Sequence, residues 1–410
     1  MGDQPGPPIP LDDALAIIGR VVKAVGGDET LETSKALGRC LAAPVSAPRA
    51  LPPFDNTAVD GYAFRRSDVA SDGPVRLDLQ GESAAGVPFA GTVAPGAAIR
   101  ISTGAVLPQG ADTVAMQEDT RREGGAVVID PVPAKGANVR CAGGDIRVGD
   151  VAFPPGRLLR PQDVALLQAL GVGSVSVKRR LRVAVASTGT ELLEAGSALG
   201  AGQIIDTNST MLAQLLGNFP VDVTRLLPLP DDRDLTTRAL AETAEQYDLI
   251  VTTGGVSVGD HDHVRPALLA NGQVDFWRLA LRPGKPVLFG RIGKACMLGL
   301  PGNPVSAMVT LLVVGVPAVR RLLGMPSSPL PGFTVPLAEA IAKSPRLREF
   351  PRVRLEWRDG KPYAVPYRDQ SSNLLTSLAW ADGILDLPAG PSLVAAGENV
   401  TYRPFSALLS

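Results

Sequence analysis

Tyr247-Asp248-Leu249-Ile250-Val251-Thr252-Thr253-Gly254-Gly255-Val256-Ser257-Val258-Gly259-Asp260-His261-Asp262-His263 is the stretch whose reading decides the fold. Leu249 to Val251 form a short apolar run, the pattern of a buried strand. Gly254, Gly255 and Gly259 then let the backbone turn sharply and come close to a ligand. Two aspartates and both of the protein's histidines close the stretch. Polar chemistry at the end of a buried strand is where an α/β protein keeps its site.

The flanking sequence repeats the arrangement. Upstream, a strand at 182–186 leads into Ser187-Thr188-Gly189-Thr190-Glu191, and a helix with Asn208 as its N-cap runs through Met211, Leu212 and Leu215. A strand at 221–227 and a helix at about 234–245 follow. Downstream, the apolar run 295–300 enters Pro301-Gly302-Asn303-Pro304-Val305-Ser306, where Asn303 suits the N-cap and Pro304 the first turn of a long apolar helix. Strands alternating with helices predict a doubly wound, mostly parallel sheet for residues 181–328. Around it, 51–137 reads as a small β domain with runs at 75–79, 98–102, 113–116 and 126–129. Residues 329–410 read as a second small β domain. Residues 1–50 and 138–180 form an extended, discontinuous mixed α/β domain with helices at 11–25, around 35–41 and at 161–170. Residues 51–63 are too rich in Pro, Asp and Asn for a helix and read as an ordered loop. The fold class is a multidomain α/β protein.

Composition narrows the function. A chain of 410 residues exceeds one ordinary core, so two to four domains are expected. With 40 basic and 41 acidic residues it lacks the charge excess of a bulk nucleic-acid or membrane-surface binder. Cys40, Cys141 and Cys296 are scattered, as in a cytoplasmic protein with reduced thiols. The polar, proline-rich first ten residues have no signal-peptide core, and no run of about 18 apolar residues marks a membrane span. A soluble protein is expected.

Parallel topology brings the loops 187–191, 252–262 and 300–306 to one sheet edge as a single crevice, and helix N-termini there favour anions such as phosphate. Arg282-Pro283-Gly284-Lys285-Pro286 adds two cations on a turn stiffened by prolines. It is either a solvated basic turn or, beside that crevice, the holder of a second oxyanion. Glu191, Asp206, Asp231, Asp260 and Asp262 crowd the same loops, which points to a divalent cation between carboxylates and phosphate, with Mg²⁺ the natural choice. The alternative for Asp206 and Asp231 is to cap turns and helices, the more frequent fate of lone aspartates in loops. Asp260-His261-Asp262-His263 has the look of a transition-metal tetrad but lacks a third histidine or a cysteine pair to complete it. Neither a Ser–His–Asp triad nor a G-x-x-x-x-G-K-[ST] phosphate loop is evident.

Six stretches occur in order: P-P-F-D-N-T-A-V-D-G-Y-A, I-S-T-G-A-V-L-P-Q-G-A-D-T-V, G-Q-I-I-D-T-N, T-T-G-G-V-S-V-G-D-H-D, R-P-G-K-P and L-P-G-N-P-V-S. Together they resemble the molybdopterin molybdenumtransferase family, MoeA and the gephyrin E-domain. The resemblance implies four domains in an elongated homodimer, with a molybdopterin-binding type of α/β domain. It implies insertion of molybdate into adenylylated molybdopterin, with Mg²⁺ required and AMP released. By motif, Asp262 and Asp231 correspond to metal- and pyrophosphate-side carboxylates and Glu191 to a pterin-pocket acid. Lys285, Pro286, Arg282, Arg352 and Ser372 correspond to the molybdate pocket. Ser187, Thr188, Gly189, Thr253, Gly254, Gly255, Ser257, Pro301, Gly302, Asn303 and Ser306 correspond to the substrate-binding loops. Asp60, Thr103 and Asp145 match positions that a partner subunit brings to the crevice. The molybdopterin adenylyltransferase and molybdoenzyme acceptors are the protein partners implied. The chain departs from the family at Arg282, where lysine is common, at Val59 for methionine and near Asn373 for histidine; positions 261 and 263 vary in the family. A molybdopterin adenylyltransferase is the nearest enzymatic alternative and a gephyrin-like scaffold the alternative of another class. The R-P-G-K-P turn and the 52–63 loop favour insertion.

Overall fold

A computed structural model describes residues 7–69, 73–256 and 262–409 of the chain. Its central sheet has six strands in the order Val221–Arg225, Leu181–Ser187, Leu249–Thr253, Ala295–Leu300, Leu288–Ile292 and Gln273–Trp277. The first four run parallel, Leu288–Ile292 runs antiparallel to both of its neighbours, and Gln273–Trp277 at the edge again points the same way as the first four. Neighbouring side chains of one strand serve different cores, as the period of two requires. Val183, Val185, Leu249, Val251 and Leu298 pack with helices Asn208–Leu216 and Pro304–Leu322. Ala186, Ile250 and Met297 pack with helices Arg233–Gln246 and Val264–Asn271. Burial on both faces explains why these strands read as unbroken apolar runs, and the doubly wound expectation holds.

Two further sheets and a paired segment flank this layer. Thr113–Met116, Gly61–Phe64, Ala97–Ile101, Val75–Ser83, Ala126–Ile129 and Thr120–Glu123 form a second six-stranded sheet. Phe333–Pro336, Asn399–Pro404, Gly383–Asp386, Arg352–Arg358 and Lys361–Pro366 form a five-stranded antiparallel one. Between sheet-forming regions, Asp28–Glu32 pairs with Ser174–Lys178, and Val45–Ser46 with Val151–Phe153.

Local departures from the sequence reading have tertiary causes. The first helix is Leu11–Val21, not 11–25, because the chain must extend for the Val25 amide to donate to the Leu322 carbonyl at 2.8 Å. Its Leu11, Ala14 and Ile18 join the core of the central sheet. The helix expected at 35–41 is only the turn Thr33–Lys35, since Cys40 and Leu41 bridge to Leu158 and Val177. The 51–63 stretch contributes strands at Asn56–Thr57 and Gly61–Phe64; a Cβ at Gly61 would collide with the Ala115 carbonyl of the adjacent strand. The helix at Pro304–Leu322 is long and apolar enough to cross a membrane, yet 83% of its apolar window is buried inside the protein, so it is a core helix. A π-helical turn, Leu311–Gly315, interrupts it.

Candidate functional site

Strand register builds the crevice. Ser187 lies opposite Thr253, and Thr253 opposite Leu300, so three parallel strands end side by side. The loops that leave them are stitched together: the Thr188 amide donates to the Thr253 carbonyl and the Gly254 amide to the Leu300 carbonyl, both at 3.0 Å. The Thr253 hydroxyl donates to the Pro301 carbonyl at 3.0 Å. Gly254 and Gly255 have φ of +87° and +66°, and a Cβ on Gly254 would strike the Thr188 hydroxyl. Glycine is therefore required for the turn and for its seat against the next loop. Gly302 neighbours the same turn, since a Cβ built on it would stand 3.7 Å from the Gly254 Cα, an ordinary contact. Ser257, Asp260 and His261 lie outside the described residues.

Carboxylates rim this floor in distinct ways. Asp206 accepts from the Ser187 hydroxyl at 2.7 Å and from the Ser209 amide at 3.0 Å, so it ties the first strand end to the start of helix Asn208–Leu216. The capping reading of Asp206 is the one the structure supports. Asn208, expected as N-cap, sits in the first turn instead, and its amide donates to the Thr253 hydroxyl at 3.0 Å and the Gly302 carbonyl at 2.6 Å. Asp231 accepts from the Thr190 amide at 3.3 Å. Helix Arg233–Gln246 is capped by its neighbour Asp232, whose carboxylate accepts from the Leu235 amide at 2.8 Å. Asp231 is thus not consumed in capping. The Glu191 carboxylate folds back over Gly189, where a Cβ would stand 2.5 Å from its Oε2, so Glu191 and Asp231 face one loop. Asp262 lies partly buried just before helix Val264–Asn271. Among the described residues no cluster of three or more histidine, cysteine or acidic side chains is poised to hold a metal. Hard carboxylate oxygens in ones and twos remain, the donor set that suits Mg²⁺ shared with phosphate and unsuited to a transition-metal cage.

The three cations expected together behave differently. Gly284, at φ +103°, seats the 282–286 turn on the helix that begins at Pro304; a Cβ there would collide with Thr310 and stand 3.4 Å from the Ser306 carbonyl. Ser306 itself is buried, its carbonyl accepting from the Thr310 hydroxyl at 2.6 Å. The Lys285 backbone is fixed, its carbonyl accepting from the amides of Leu279 and Val287 at 2.9 and 3.1 Å, while its side chain is exposed and Pro286 half-buried. Arg282 is 64% exposed and 4.0 Å from Glu349. Arg352 is 1% exposed. Its guanidinium donates to the carbonyls of Asp369, Gln370 and Ser371 and to the Ser377 hydroxyl, at 3.0 to 3.1 Å. Burial lowers its pKa to about 10. The expectation that Arg352 lines an oxyanion pocket gives way to another role: its donors are spent on loop carbonyls, and it secures the loop that carries Ser372. Ser372 is brought to the crevice. Its hydroxyl accepts from the Asn303 side chain at 2.8 Å, and its carbonyl accepts from the Val305 amide at 3.2 Å. Asn303 holds the N-cap position, with Pro304 next, but its side chain reaches the C-terminal sheet's loop and not its own helix.

Asp60, Thr103 and Asp145 are assembled elsewhere. One Asp60 oxygen accepts from both the Thr103 amide at 2.7 Å and the Thr103 hydroxyl at 2.8 Å. Those two bonds, the amide's first, hold the exposed carboxyl below its ordinary value. Asp145 is exposed, its amide donating to the Leu51 carbonyl at 2.9 Å. Asp55 accepts from the Ala142 amide at 2.7 Å, and the Asn56 side chain donates to the Phe54 carbonyl, so both fix the loop. Among the described residues, none of these side chains bonds to the crevice.

The sequence reading gives Asn208 only a helix-capping role and does not single out Asp232. Asn208 ends the G-Q-I-I-D-T-N stretch, and a helix-start asparagine preceded by another capping carboxylate was the available signal.

Three family models match the chain: the MoeA N-terminal region (domain I and II) over residues 9–171, a probable molybdopterin binding domain over 184–321, and the MoeA C-terminal region (domain IV) over 334–405. The molybdopterin molybdenumtransferase of Haemophilus influenzae is 37% identical over 387 residues, covering 93% of this chain and 95% of the relative. Molybdopterin molybdenumtransferase 2 of Mycobacterium tuberculosis is 34% identical over 90% of this chain and 93% of its own. A solved structure of the molybdopterin biosynthesis moeA protein from Pyrococcus horikoshii OT3 superposes with a TM-score of 0.83 at 29% identity, covering 97% of this chain and 99% of that one.

Proposed function

Because the chain belongs to the MoeA family of molybdopterin molybdenumtransferases, we propose that it inserts molybdate into the dithiolene of adenylylated molybdopterin and that water cleaves the pyrophosphate bond, releasing AMP and molybdenum cofactor. The chain is a transferase of molybdenum cofactor biosynthesis. The observation that carries the finer reading is the register of Ser187, Thr253 and Leu300, which lines up three small polar loops as one floor beside two exposed cations.

On this reading the adenylylated pterin lies on the loops 187–191, 253–255 and 301–303, with Glu191 toward the pterin. Lys285 and Arg282 receive the molybdate dianion, with Pro286 and the buried Ser306 fixing the turn and its helix. The amides at the start of the Pro304 helix favour negative charge. Ser372, linked to Asn303, closes this end of the crevice, and Arg352 acts through it. Asp231 and Asp262 hold Mg²⁺, which when bound supplies charge neutralisation on the phosphates. Catalysis is then largely positional and electrostatic: fixed cations hold the nucleophile-bearing and oxyanionic partners together while charge accumulates on the departing phosphate.

Asp60, Thr103 and Asp145 complete the crevice from a second copy of the chain, so the active form is a homodimer with two shared sites. The three cysteines are all unpaired, two of them buried, which fits a reducing cytoplasm. A molybdopterin adenylyltransferase supplies the substrate, and molybdoenzymes accept the product.

The test is direct. Purified protein with adenylylated molybdopterin and Mg²⁺ releases AMP when molybdate is added. Release that depends on ATP and ignores molybdate, or no release with any oxyanion, overturns the assignment.

A further inference from the structure

We infer that Asn208 is a positioning residue that sets the spacing between two walls of the crevice, and through it the affinity for the adenylylated pterin. The inference rests on the reading of that crevice as the substrate site. A helix-start asparagine ordinarily serves its own helix, accepting from the amides of the first turn. Here that task belongs to Asp206, which accepts from the Ser209 amide at 3.0 Å, and the helix closes its first turn with the Met211 amide on the Thr207 carbonyl at 3.0 Å. The Asn208 amide is therefore released for tertiary work.

It donates in two directions. One bond goes to the Thr253 hydroxyl at 3.0 Å, on the strand end that begins the Gly254-Gly255 turn. The other goes to the Gly302 carbonyl at 2.6 Å, in the turn that leads into the Pro304 helix. The Thr253 hydroxyl in turn donates to the Pro301 carbonyl at 3.0 Å. A closed ring results: Asn208, Thr253, Pro301 and Gly302 fix one another. A Cβ on Gly254 would strike the Thr188 hydroxyl, so the turn beside this ring is already seated tightly against the next loop. Both amide protons are spent on this ring, and a carboxylate of the same shape has none to give.

Two substitutions separate positioning from mere support. In Asn208→Ala the helix keeps its Asp206 cap, so the melting temperature stays within a few degrees of wild type, roughly the effect of losing part-exposed hydrogen bonds. The KM for adenylylated molybdopterin rises about tenfold, while kcat and the KM for molybdate change by less than about twofold, because uniform binding of one substrate is lost. Asn208→Asp keeps the volume but sets a carboxylate oxygen against the Gly302 carbonyl and adds negative charge beside a phosphate ligand, so its KM rises further. Hydrogen exchange adds a readout free of turnover: amides of Thr253, Gly254 and Gly302 exchange faster in both variants. A KM for the pterin unchanged in both variants, or a common fall in kcat, both substrates' binding and thermal stability, overturns the inference. Wild-type protein that releases no AMP on molybdate addition sinks the reading of the crevice itself. An active wild type with indifferent Asn208 variants sinks only the role given to Asn208.

Discussion

The crevice and the 52–63 loop are both dense in polar side chains, and they use them differently. At the crevice, bonds run between separate strand ends and into the C-terminal sheet: Ser187 to Asp206, Asn208 to Thr253 and Gly302, Asn303 to Ser372. At the loop, Asp55, Asn56 and Asp60 find all their partners between residues 54 and 142, within the same part of the chain. The first region is a finished wall with cations beside it. The second is a rigid platform that holds Asp60 and Asp145 exposed. A preset, ionised carboxylate kept in solvent by two bonds from Thr103 contributes little to stability, which points to use outside its own sheet.

The sharpest way to break this contrast is subunit complementation. Asp60→Asn and Asp262→Asn each lower molybdate-dependent AMP release by about a hundredfold or more, on the scale of losing an electrostatic group at the reacting phosphate. Mixed dimers of the two variants recover about a quarter of the wild-type sites if each site draws on both copies, because half the dimers are mixed and each holds one intact site. Full activity in either variant alone, or no recovery on mixing, removes the idea of a shared site.

A smaller effect separates the cations. Arg352→Ala leaves the carbonyls of Asp369, Gln370 and Ser371 without their donor, at a cost of about 1–3 kcal/mol for an unsatisfied buried group, and the protein melts lower. Arg282→Ala, at an exposed site, leaves melting unchanged and raises the KM for molybdate. Equal thermal effects from the two substitutions would erase the distinction between holder and ligand.

The smallest effect is in acid. Asp386 is buried, which opposes its charge, but bonds from Arg348 and Arg403 outweigh burial and hold its carboxyl below the ordinary 3.8. A lowered folded pKa gives stability that is present above the unfolded value and is lost as pH falls through the folded one. Wild-type protein therefore loses stability below about pH 4 through this group, where Asp386→Asn, weaker at neutral pH, shows a flatter profile. Parallel melting curves for the two proteins across that range would rule it out.

Much of the crevice was legible in the sequence because it is made of local patterns. Strands buried on both faces appear as apolar runs, and glycine-rich exits such as Thr252 to Gly255 and Pro301 to Ser306 mark their ends. What stayed hidden depends on distant neighbours. Arg352 reads the same whether it faces an oxyanion or three carbonyls. Gly61–Phe64 reads as loop until Ala115 supplies the neighbouring strand that excludes a side chain. The first helix stops at Val21 because of a bond to Leu322, a contact no local pattern encodes.

The buried helix Pro304–Leu322 carries a consequence for biogenesis. While unsatisfied, it is as apolar as a membrane-spanning segment, and a chain that exposed it would invite aggregation or misrouting. Synthesis order guards against this. The six strands of the central sheet lie between residues 181 and 300, all ahead of the helix, and the first helix is earlier still. By the time Pro304 leaves the ribosome, the sheet and first helix that receive it have already been made, and Phe350, Leu378, Ile384 and Leu408 complete the same core afterwards.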